Sequence, residues 1–378
     1  MKVPFVDLGA QHGPLRDEIL AGWADVLDAT RFVGSRDVES FERGFAQAHN
    51  AKHCIAVNSG TDALYVAMRA LGLGPGDRVV LPTNTFIATA EAVSMTGAVP
   101  LLVDCHPETK NIDVVQAAAA MRQPNVRGVI GVHLYGQPAD MDALVDAADD
   151  EQWVLEDAAQ AHLATYKGRP VGTLGTASAF SFYPGKNLGA PGEGGAALTN
   201  DDNLAAAMMA LRNHGQVQKY NSESIGLNAR MSELVGSTLR VKLPRLAGWT
   251  EQRRVVADKY HALLSGHSDI TLPTEAEFAR SVFHLYVVHV PNRDRVARLM
   301  EQAGVSVGMH YPIPVHAQPA YQSLGYVAGD FPVAEESSRT LLSLPMYAEL
   351  TDTQIEYVAE QLVQAVASAS LPQESTHL

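Results

Sequence analysis

The chain has 378 residues, which at roughly 150 residues per domain predicts two domains, or one large domain with a smaller lobe. Hydrophobic residues make up 46% of the chain and charged residues 19%, proportions typical of a globular protein with a sizeable core, which excludes disorder as its main state. The formal net charge of −14 argues against nonspecific attraction to nucleic acids or anionic membranes.

The cysteine content and the hydropathy of the chain predict its location. Cys54 and Cys105 are the two cysteines, and their distance in sequence argues against a disulfide framework and favours a reducing compartment. No apolar run approaches the length of about 18 residues that a membrane span needs, and acidic residues interrupt the first twenty positions. We therefore predict a cytoplasmic protein with no membrane or nucleic-acid partner.

Short β-branched runs alternate with helical patterns through the first two thirds of the chain. The predicted strands are HCIAV, RVVLP, VPLLVD, NVRGVIGVHL and WVLED. Strands that alternate with helices at this regularity predict parallel crossovers, and hence a three-layer α/β/α sandwich with a mostly parallel central sheet. The later segments ASAFSF and GGAALT are predicted to complete the sheet or to form a hairpin.

The last third of the chain predicts a second, smaller α/β domain. A helical stretch covers residues 231–264 with a break at Pro244, and it is followed by the strand FHLYVVHV, an amphipathic helix and a capped C-terminal helix. We predict a large domain over residues 1–245 and a small domain over residues 246–378. The N-terminal segment of the large domain is free to pack on the small one.

Polar side chains follow two of the predicted strands. The segment NSGTDAL opens a helix whose free N–H groups, with the hydroxyls of Ser59 and Thr61, favour an anion such as phosphate. Asp157 in EDAAQAH ends a parallel strand, where α/β proteins place ligands, and a cation could be held there. Taken alone, each segment is more often an ordinary helix cap.

Lys186 stands in the segment SFYPGKNLG among glycines and aromatic residues. Gly185 and Gly189 allow close backbone approach, while Phe182 and Tyr183 can wall a pocket. A desolvated lysine tends to lose its proton and becomes the nucleophilic amine that forms a Schiff base with an aldehyde. Composition alone leaves open the alternative of a surface lysine with a buried aliphatic stem.

The three features together match the needs of pyridoxal 5'-phosphate. Its phosphate needs N–H donors, its ring nitrogen needs a carboxylate, and its aldehyde needs an amine. The phosphate segment, Asp157 and Lys186 supply these groups in this order along the chain. We therefore predict pyridoxal 5'-phosphate as the cofactor.

The chain also resembles the DegT/DnrJ/StrS sugar aminotransferases, which have the pyridoxal phosphate fold of type I. The resemblance extends over nearly the whole chain and rests on NSGTDAL, PTNTFIATAEAV, EDAAQAHLA, FSFYPGKNLGAPGEGG, RNHG, IGLNARMSEL and HYPIPVHAQPAY. Six or more ordered motifs make it far more specific than a single short pattern. The expected activity is a pyridoxal phosphate-dependent transamination.

The resemblance implies a role for several residues of the cofactor site. Lys186 would form the Schiff base and move the proton, Asp157 would pair with the ring nitrogen, and Phe86 would stack on the ring. Gln160 would lie near the ring and its 3'-oxygen. The phosphate would be held by Gly60, Thr61, Ser181 and Asn228 of the partner subunit. The last contact implies a homodimer with shared active sites.

The resemblance further implies a nucleotide-linked keto-sugar as acceptor and glutamate or glutamine as donor. Tyr183 is similar to the tyrosine of enzymes that aminate a sugar at C-3, whereas C-4 enzymes usually have histidine there. We therefore expect a dTDP-linked 3-keto-6-deoxyhexose. Candidate substrate contacts are Tyr183, Lys219, Tyr220, Arg230, His310 and His316. An equally good interpretation of Lys219, Tyr220 and Arg230 is that they belong to a solvated charged loop. The two histidines lie six residues apart without a third ligand nearby and do not predict a metal site.

Three alternatives remain open at this point. An aminocyclitol aminotransferase has similar motifs, and a C-4 keto-sugar aminotransferase of the same family differs by the histidine that it usually has in place of Tyr183. A pyridoxal phosphate-binding regulator without turnover belongs to another class and normally carries a DNA-binding module, for which this acidic chain has no spare domain. A sugar 3-dehydratase of this scaffold has histidine in place of the lysine, so Lys186 argues against it.

Overall fold

The structure is a computed structural model that describes residues 1–370. Its centre is a seven-stranded sheet with the order β1-β9-β8-β5-β4-β2-β3, in which β9 alone runs against the other strands. The sheet strands are β1 His53–Val57, β2 Arg78–Pro82, β3 Val99–Val103, β4 Val126–Val132, β5 Trp153–Asp157, β8 Ala177–Ser181 and β9 Gly195–Thr199. The prediction of a mostly parallel central sheet is confirmed.

Short strands and helices complete the described chain. The remaining strands are β6 Thr165–Tyr166, β7 Arg169–Pro170, β10 Gln216–Gln218, β11 Asn221–Ser222, β12 Ala279–Arg280, β13 Tyr286–His289 and β14 Leu341–Leu344. The α-helices are α1 Leu8–His12, α2 Arg16–Ala29, α3 Arg36–Ala48, α4 Gly60–Ala70, α5 Ile87–Met95, α6 Val114–Met121, α7 Met141–Ala147, α8 Asp202–Leu211, α9 Glu233–Lys242, α10 Leu246–Leu264, α11 Arg293–Gln302, α12 Pro332–Thr340 and α13 Asp352–Ser370.

Alternation along the sheet strands produces the three layers. In β2, Val79 and Leu81 are buried in a cluster with α4, α5 and α8, whereas Val80 is buried in a cluster with α6 and α7 on the other face. Successive side chains of a strand point to opposite faces, so a strand covered by helices on both sides is apolar throughout. This arrangement confirms the α/β/α architecture.

The segments ASAFSF and GGAALT form strands β8 and β9 of the central sheet, which was one of the two predicted alternatives. Strands β8 and β9 pair antiparallel, with Ser181 opposite Gly195. The loop between them carries Lys186. Because both ends of this loop are held at one edge of the sheet, the lysine is kept close to that edge.

A separate buried cluster unites the C-terminal elements. It is formed by α10, α11, α13, β13 and β14, and it includes Val3 from the N-terminal segment. Val3 also bridges to Val305. The predicted break at Pro244 appears as a short 3-10 helix, Leu243–Arg245, between α9 and α10. The division into domains at residue 245 stays a prediction, and residues 371–378 of its second domain lie outside the described chain.

None of the helices within residues 1–370 combines the length and the apolar character required to cross a membrane.

Candidate active site

A cavity of about 570 Å³ opens at the carboxyl edge of the central sheet. Strands β1, β5 and β8 end there in Val57, Asp157 and Ser181, and helix α4 begins there at Gly60. Carboxyl ends of parallel strands are the usual ligand-binding edge of an α/β sheet. The cavity therefore collects residues from all three predicted cofactor segments. The site residues predicted from the sequence that line this cavity are Gly60, Thr61, Phe86, Asp157, Gln160, Ser181, Tyr183, Lys186 and His310.

Lys186 meets the cavity with an amine that has no hydrogen bond or ion pair within the described residues. Its main-chain N–H donates to the carbonyl of Tyr183 at 2.8 Å, which closes a tight turn under the side chain. Burial lowers the pKa of Lys186 from 10.5 to about 8, and the charge of Asp157 opposes part of that shift. At pH 7 roughly a tenth of the amine is therefore unprotonated, far more than for an exposed lysine, and this neutral fraction is the nucleophile.

Asp157 presents its carboxylate to the same cavity from the end of β5. Its side chain is buried, with 7% of its surface exposed. Thr89 donates its hydroxyl to Oδ2 at 2.7 Å, and the main-chain N–H of Ala159 donates to Oδ1 at 3.2 Å. Donors on both oxygens fix the orientation of the carboxylate.

Glu156, the neighbour of Asp157, points to the other face of the sheet because side chains alternate along a strand. It is fully buried and accepts hydrogen bonds from the N–H groups of Gly172, Leu174 and Gly175. His133 Nε2 lies 3.0 Å from its Oε2. The two adjacent carboxylates thus have separate roles, since Glu156 ties down a loop and only Asp157 faces the cavity.

The start of α4 forms a cradle suited to an anion. Ser59 caps the helix by accepting from Asp62 N–H at 3.0 Å, which leaves the N–H groups of Gly60 and Thr61 without a helical partner. A Cβ at Gly60 would lie 2.6 Å from Cβ of Ser181, so only glycine allows the end of β8 to approach this closely. The free N–H groups and the Ser181 hydroxyl therefore converge on one point, where a phosphate fits.

Aromatic residues and an amide wall the cavity between the cradle and Lys186. Phe86 packs against Tyr311, with ring centroids 5.3 Å apart. Gln160 accepts from the N–H of Tyr135 at 2.6 Å and donates to the Tyr311 hydroxyl at 3.0 Å. Phe86 and Tyr183 are half exposed, so each offers a face to a bound ring or substrate.

His316 lies outside this cavity, contrary to the expectation that it faces the sugar. Its ring is buried, with Nδ1 at 2.8 Å from the Thr83 hydroxyl and Nε2 at 3.4 Å from a Glu335 oxygen. Three residues of 3-10 helix, Val315–Ala317, turn the side chain towards these partners. His310, six residues earlier, does line the cavity, and its Nδ1 lies 2.8 Å from the Ser343 hydroxyl.

The segment around IGLN also lies outside the cavity of its own chain. Tyr220 is 87% exposed at the tip of the β10–β11 hairpin, next to Lys219. Arg230 donates from Nε and Nη2 to Asn228 Oδ1 at 3.1 and 2.9 Å. None of these four residues is among those that line the cavity, although the main chain of Arg230 pairs with Val57 at the end of β1.

Several cavity residues carried no sequence prediction. They include Phe5, Glu193, His284, Tyr311 and Met346. Glu193 and Tyr311 belong to quoted motifs, PGEGG and HYPIPVHAQPAY, which was the one signal available for them. His284 precedes β13 and Met346 follows β14, and the apolar sequence around each is typical of a buried strand rather than of a binding site.

The model of the DegT/DnrJ/EryC1/StrS aminotransferase family matches residues 14–363 of the chain. A curated relative from Geobacillus stearothermophilus, named a pleiotropic regulatory protein, is 42% identical and covers 96% of this chain and 98% of its own. The dTDP-3-amino-3,4,6-trideoxy-alpha-D-glucose transaminase of Streptomyces venezuelae is 43% identical, with 91% of each chain covered.

Solved structures agree with the sequence relatives. S. venezuelae DesV in complex with a ketimine intermediate has a TM-score of 0.94 and 42% identity, covering 98% of this chain and 99% of that one. NtdA from Bacillus subtilis, solved with bound cofactor PMP, has a TM-score of 0.89 and 30% identity, covering 97% of this chain and 85% of that one.

Proposed function

Because the chain belongs to the DegT/DnrJ/EryC1/StrS aminotransferase family and is a pyridoxal phosphate-dependent aminotransferase, we propose that it aminates a nucleotide-linked keto-sugar. The observation that carries the proposal is the convergence of Lys186, Asp157 and the start of α4 on one cavity. Several relatives are named sugar aminotransferases, among them the Streptomyces venezuelae protein, and the cavity has a volume of about 570 Å³.

The residues around the cavity fit the cofactor. Lys186 would hold it covalently, Asp157 would pair with its ring nitrogen, and the cradle at Gly60, Thr61 and Ser181 would hold its phosphate. Phe86 would stack on the ring, and Gln160 would lie beside it. When bound, the cofactor supplies an electron sink for the bond that breaks at the substrate carbon.

The chain's own contribution to the reaction is the control of protons and water. The Nζ of Lys186, with a pKa of about 8, is suited to take a proton from the carbon that bears the nitrogen and to return it. Burial also lowers the pKa of His310 to about 4, helped by the charge of Lys186, so this histidine is neutral at physiological pH. It therefore offers hydrogen bonds to an uncharged sugar ring without adding charge to the site.

We propose a dTDP-linked 3-keto-6-deoxyhexose as acceptor and glutamate or glutamine as donor. Tyr183 lines the cavity, where the resemblance associates tyrosine with amination at C-3. The name of the Streptomyces relative, a dTDP-3-amino sugar transaminase, supports the same position and nucleotide. The name of the Geobacillus relative favours the alternative of a regulator. A turnover assay distinguishes the two, because a regulator without catalysis would convert no acceptor.

The substrate proposal predicts a clear ranking in a panel of acceptors. Holoenzyme with glutamate or glutamine should convert a dTDP-3-keto-6-deoxyhexose faster than the C-4 ketone or scyllo-inosose, because Tyr183 lines the cavity and the resemblance associates tyrosine at this position with amination at C-3. Formation of the donor's 2-oxo acid is the measurement. Preference for scyllo-inosose would identify an aminocyclitol enzyme, and no turnover with any acceptor would support the regulator.

We also propose that Asn228 completes the cofactor site of a partner subunit, with Lys219, Tyr220 and Arg230 near the substrate pyrophosphate of that site. Three observations support it. These residues lie outside their own cavity, the β10–β11 hairpin extends Val217 and Tyr220 into solvent, and Ile225 is 94% exposed. Apolar side chains this exposed are typical of a surface covered by another chain.

A hybrid-dimer experiment tests this sharing of sites. Lys186→Ala and Asn228→Asp are each expected to be nearly inactive, the second because its carboxylate would oppose the cofactor phosphate while keeping the contact to Arg230. Unfolding and refolding the two variants together should recover about a quarter of wild-type turnover, since half of randomly paired dimers contain one intact site of two. Recovery of no activity would show that each chain builds its site alone.

A further inference from the structure

His284 is a cavity residue to which neither the motifs nor the cofactor assign a role. It precedes β13 and lines the cavity together with Lys186. Its main chain is held on several sides. Leu285 N–H donates to the Tyr135 carbonyl at 3.3 Å, and Arg253 donates to the carbonyls of Phe283 and His284 at 3.1 and 3.4 Å. The ring therefore has little freedom to move away from the cavity.

Asn187, the residue after Lys186, determines which ring nitrogen of His284 carries the proton. The amide of Asn187 is 1% exposed, and its Nδ2 donates to the Val282 carbonyl at 3.1 Å. Its Oδ1 is consequently the atom that lies 3.1 Å from His284 Nδ1, and an amide oxygen can only accept. The proton must be on Nδ1, which leaves a lone pair on Nε2.

The charge state of His284 agrees with this tautomer. Burial, followed by the charges of Lys186 and Arg253, holds the pKa of His284 well below its usual value of 6.5. The ring is therefore neutral, with one donor and one acceptor. Because the Nδ1–H group donates to Asn187, the remaining ring nitrogen, Nε2, can only accept a hydrogen bond.

His310 differs in this respect, although it lines the same cavity. Its Nδ1 contacts the Ser343 hydroxyl, which can either donate or accept. The tautomer of His310 is thus free to adapt, whereas that of His284 is set by a buried amide. An acceptor of fixed polarity selects a ligand that offers a hydrogen, and it disfavours phosphate and carboxylate groups.

We propose that His284 Nε2 accepts a hydrogen bond from a hydroxyl of the sugar ring and that Asn187 is the positioning residue that keeps this nitrogen unprotonated. The inference rests on the proposed nucleotide-sugar substrate, because the sugar is the uncharged, hydroxyl-bearing part of the ligands considered. His284, which contacts Asn187 in the loop that carries Lys186, would thus take part in sugar recognition.

Two variants separate this role from a structural one. In His284→Asn the side-chain amide replaces Nδ1 and keeps a donor for Asn187, but no atom remains at Nε2. In His284→Gln the longer amide places an acceptor near the Nε2 position and loses the contact to Asn187. Sugar recognition therefore predicts that the glutamine variant is the better binder, and a structural role predicts the reverse order.

The readout is calorimetric titration of the holoenzyme with dTDP-glucose and with dTDP. We expect His284→Asn to weaken dTDP-glucose binding by about 5- to 100-fold, the range for leaving a buried hydrogen-bonding group unpaired, and to leave dTDP binding unchanged. His284→Gln should bind dTDP-glucose more tightly than His284→Asn. His289→Asn is the matched control, since His289 on β13 pairs with Thr340 outside the cavity and should bind both ligands as wild type does.

Each contrary outcome has a distinct meaning. Equal dTDP-glucose affinity in wild type and His284→Asn, or tighter binding by the asparagine than by the glutamine variant, overturns the inference alone. If wild-type protein binds dTDP-glucose no better than dTDP, the inference is overturned, whereas the proposed function is decided separately by turnover in the acceptor panel. Cofactor content and the thermal midpoint of each variant establish that the fold is intact.

Discussion

Replacement of Lys186 by alanine is expected to abolish turnover while leaving the protein folded. We propose that the amine binds the cofactor covalently and moves the proton, and a positioned acid–base group alone contributes about 10²–10⁴-fold to rate. Loss of both roles should therefore lower turnover by more than about 10⁴-fold. The measurements are kcat and the cofactor absorbance of the purified variant. A Lys186→Ala enzyme with turnover within tenfold of wild type would refute the assignment.

Lys242 is a useful internal control for the assignment of Lys186. Burial lowers its pKa to about 8 as well, so an altered pKa does not by itself identify the nucleophile. Its amine instead donates to the Gly189 carbonyl and lies 3.0 Å from His12 Nε2, outside the cavity. Borohydride reduction of the holoenzyme should therefore place the cofactor's mass on Lys186 and leave Lys242 unmodified.

The pKa of Lys186 also predicts how capture of the cofactor depends on pH. Below about pH 8 the amine of the cofactor-free protein is mostly protonated, and above it the neutral nucleophile predominates. The rate at which cofactor-free protein binds pyridoxal 5'-phosphate covalently should thus rise through about pH 8. A rise centred near 10.5, the value of an exposed lysine, would show that the side chain is not desolvated.

The second large effect is expected for Asp157→Asn. The substitution keeps the shape of the side chain, and its amide can still accept from Ala159 N–H while donating to the Thr89 hydroxyl, but it removes the charge that we propose pairs with the cofactor's ring nitrogen. Breaking a buried ion pair by removing one partner costs ~3–5 kcal/mol, and a loss of that size in the transition state corresponds to about 10²- to 5 × 10³-fold in kcat/KM.

The control for Asp157→Asn is Thr89→Val, which removes one donor to the carboxylate and keeps its charge. It should lower kcat/KM by less than Asp157→Asn does, and by no more than about 10- to 160-fold, because one hydrogen bond to a charged group contributes about 1.5–3 kcal/mol and Ala159 remains. Thr89→Val also leaves the Thr85 hydroxyl without this partner, so its thermal midpoint should fall somewhat, and kcat/KM is compared well below the midpoints of both variants. If the valine variant is the more impaired, orientation of the carboxylate matters more than its charge.

Local chemistry explains why much of the cofactor site was predictable. A strand that ends in Asp157, a capped helix that starts at Gly60 and a lysine loop between two strands are set by residues a few positions apart. Parallel strands then bring their carboxyl ends to one edge, which unites the three segments. The separation of Glu156 from Asp157 follows from the same alternation, although the loop that Glu156 holds was visible only in the fold.

The amino-acid sequence by itself determined the parallel sheet, the order of its elements and the nature of the cofactor groups, because alternation, capping and turn residues act over short distances. Only the tertiary structure decided which distant side chains share the cavity. It turned His316 towards Thr83, brought His284 to Asn187, and left Asn228 and Arg230 outside. Such contacts join segments about a hundred residues or more apart in sequence, and packing of whole elements, rather than local preference, determines them.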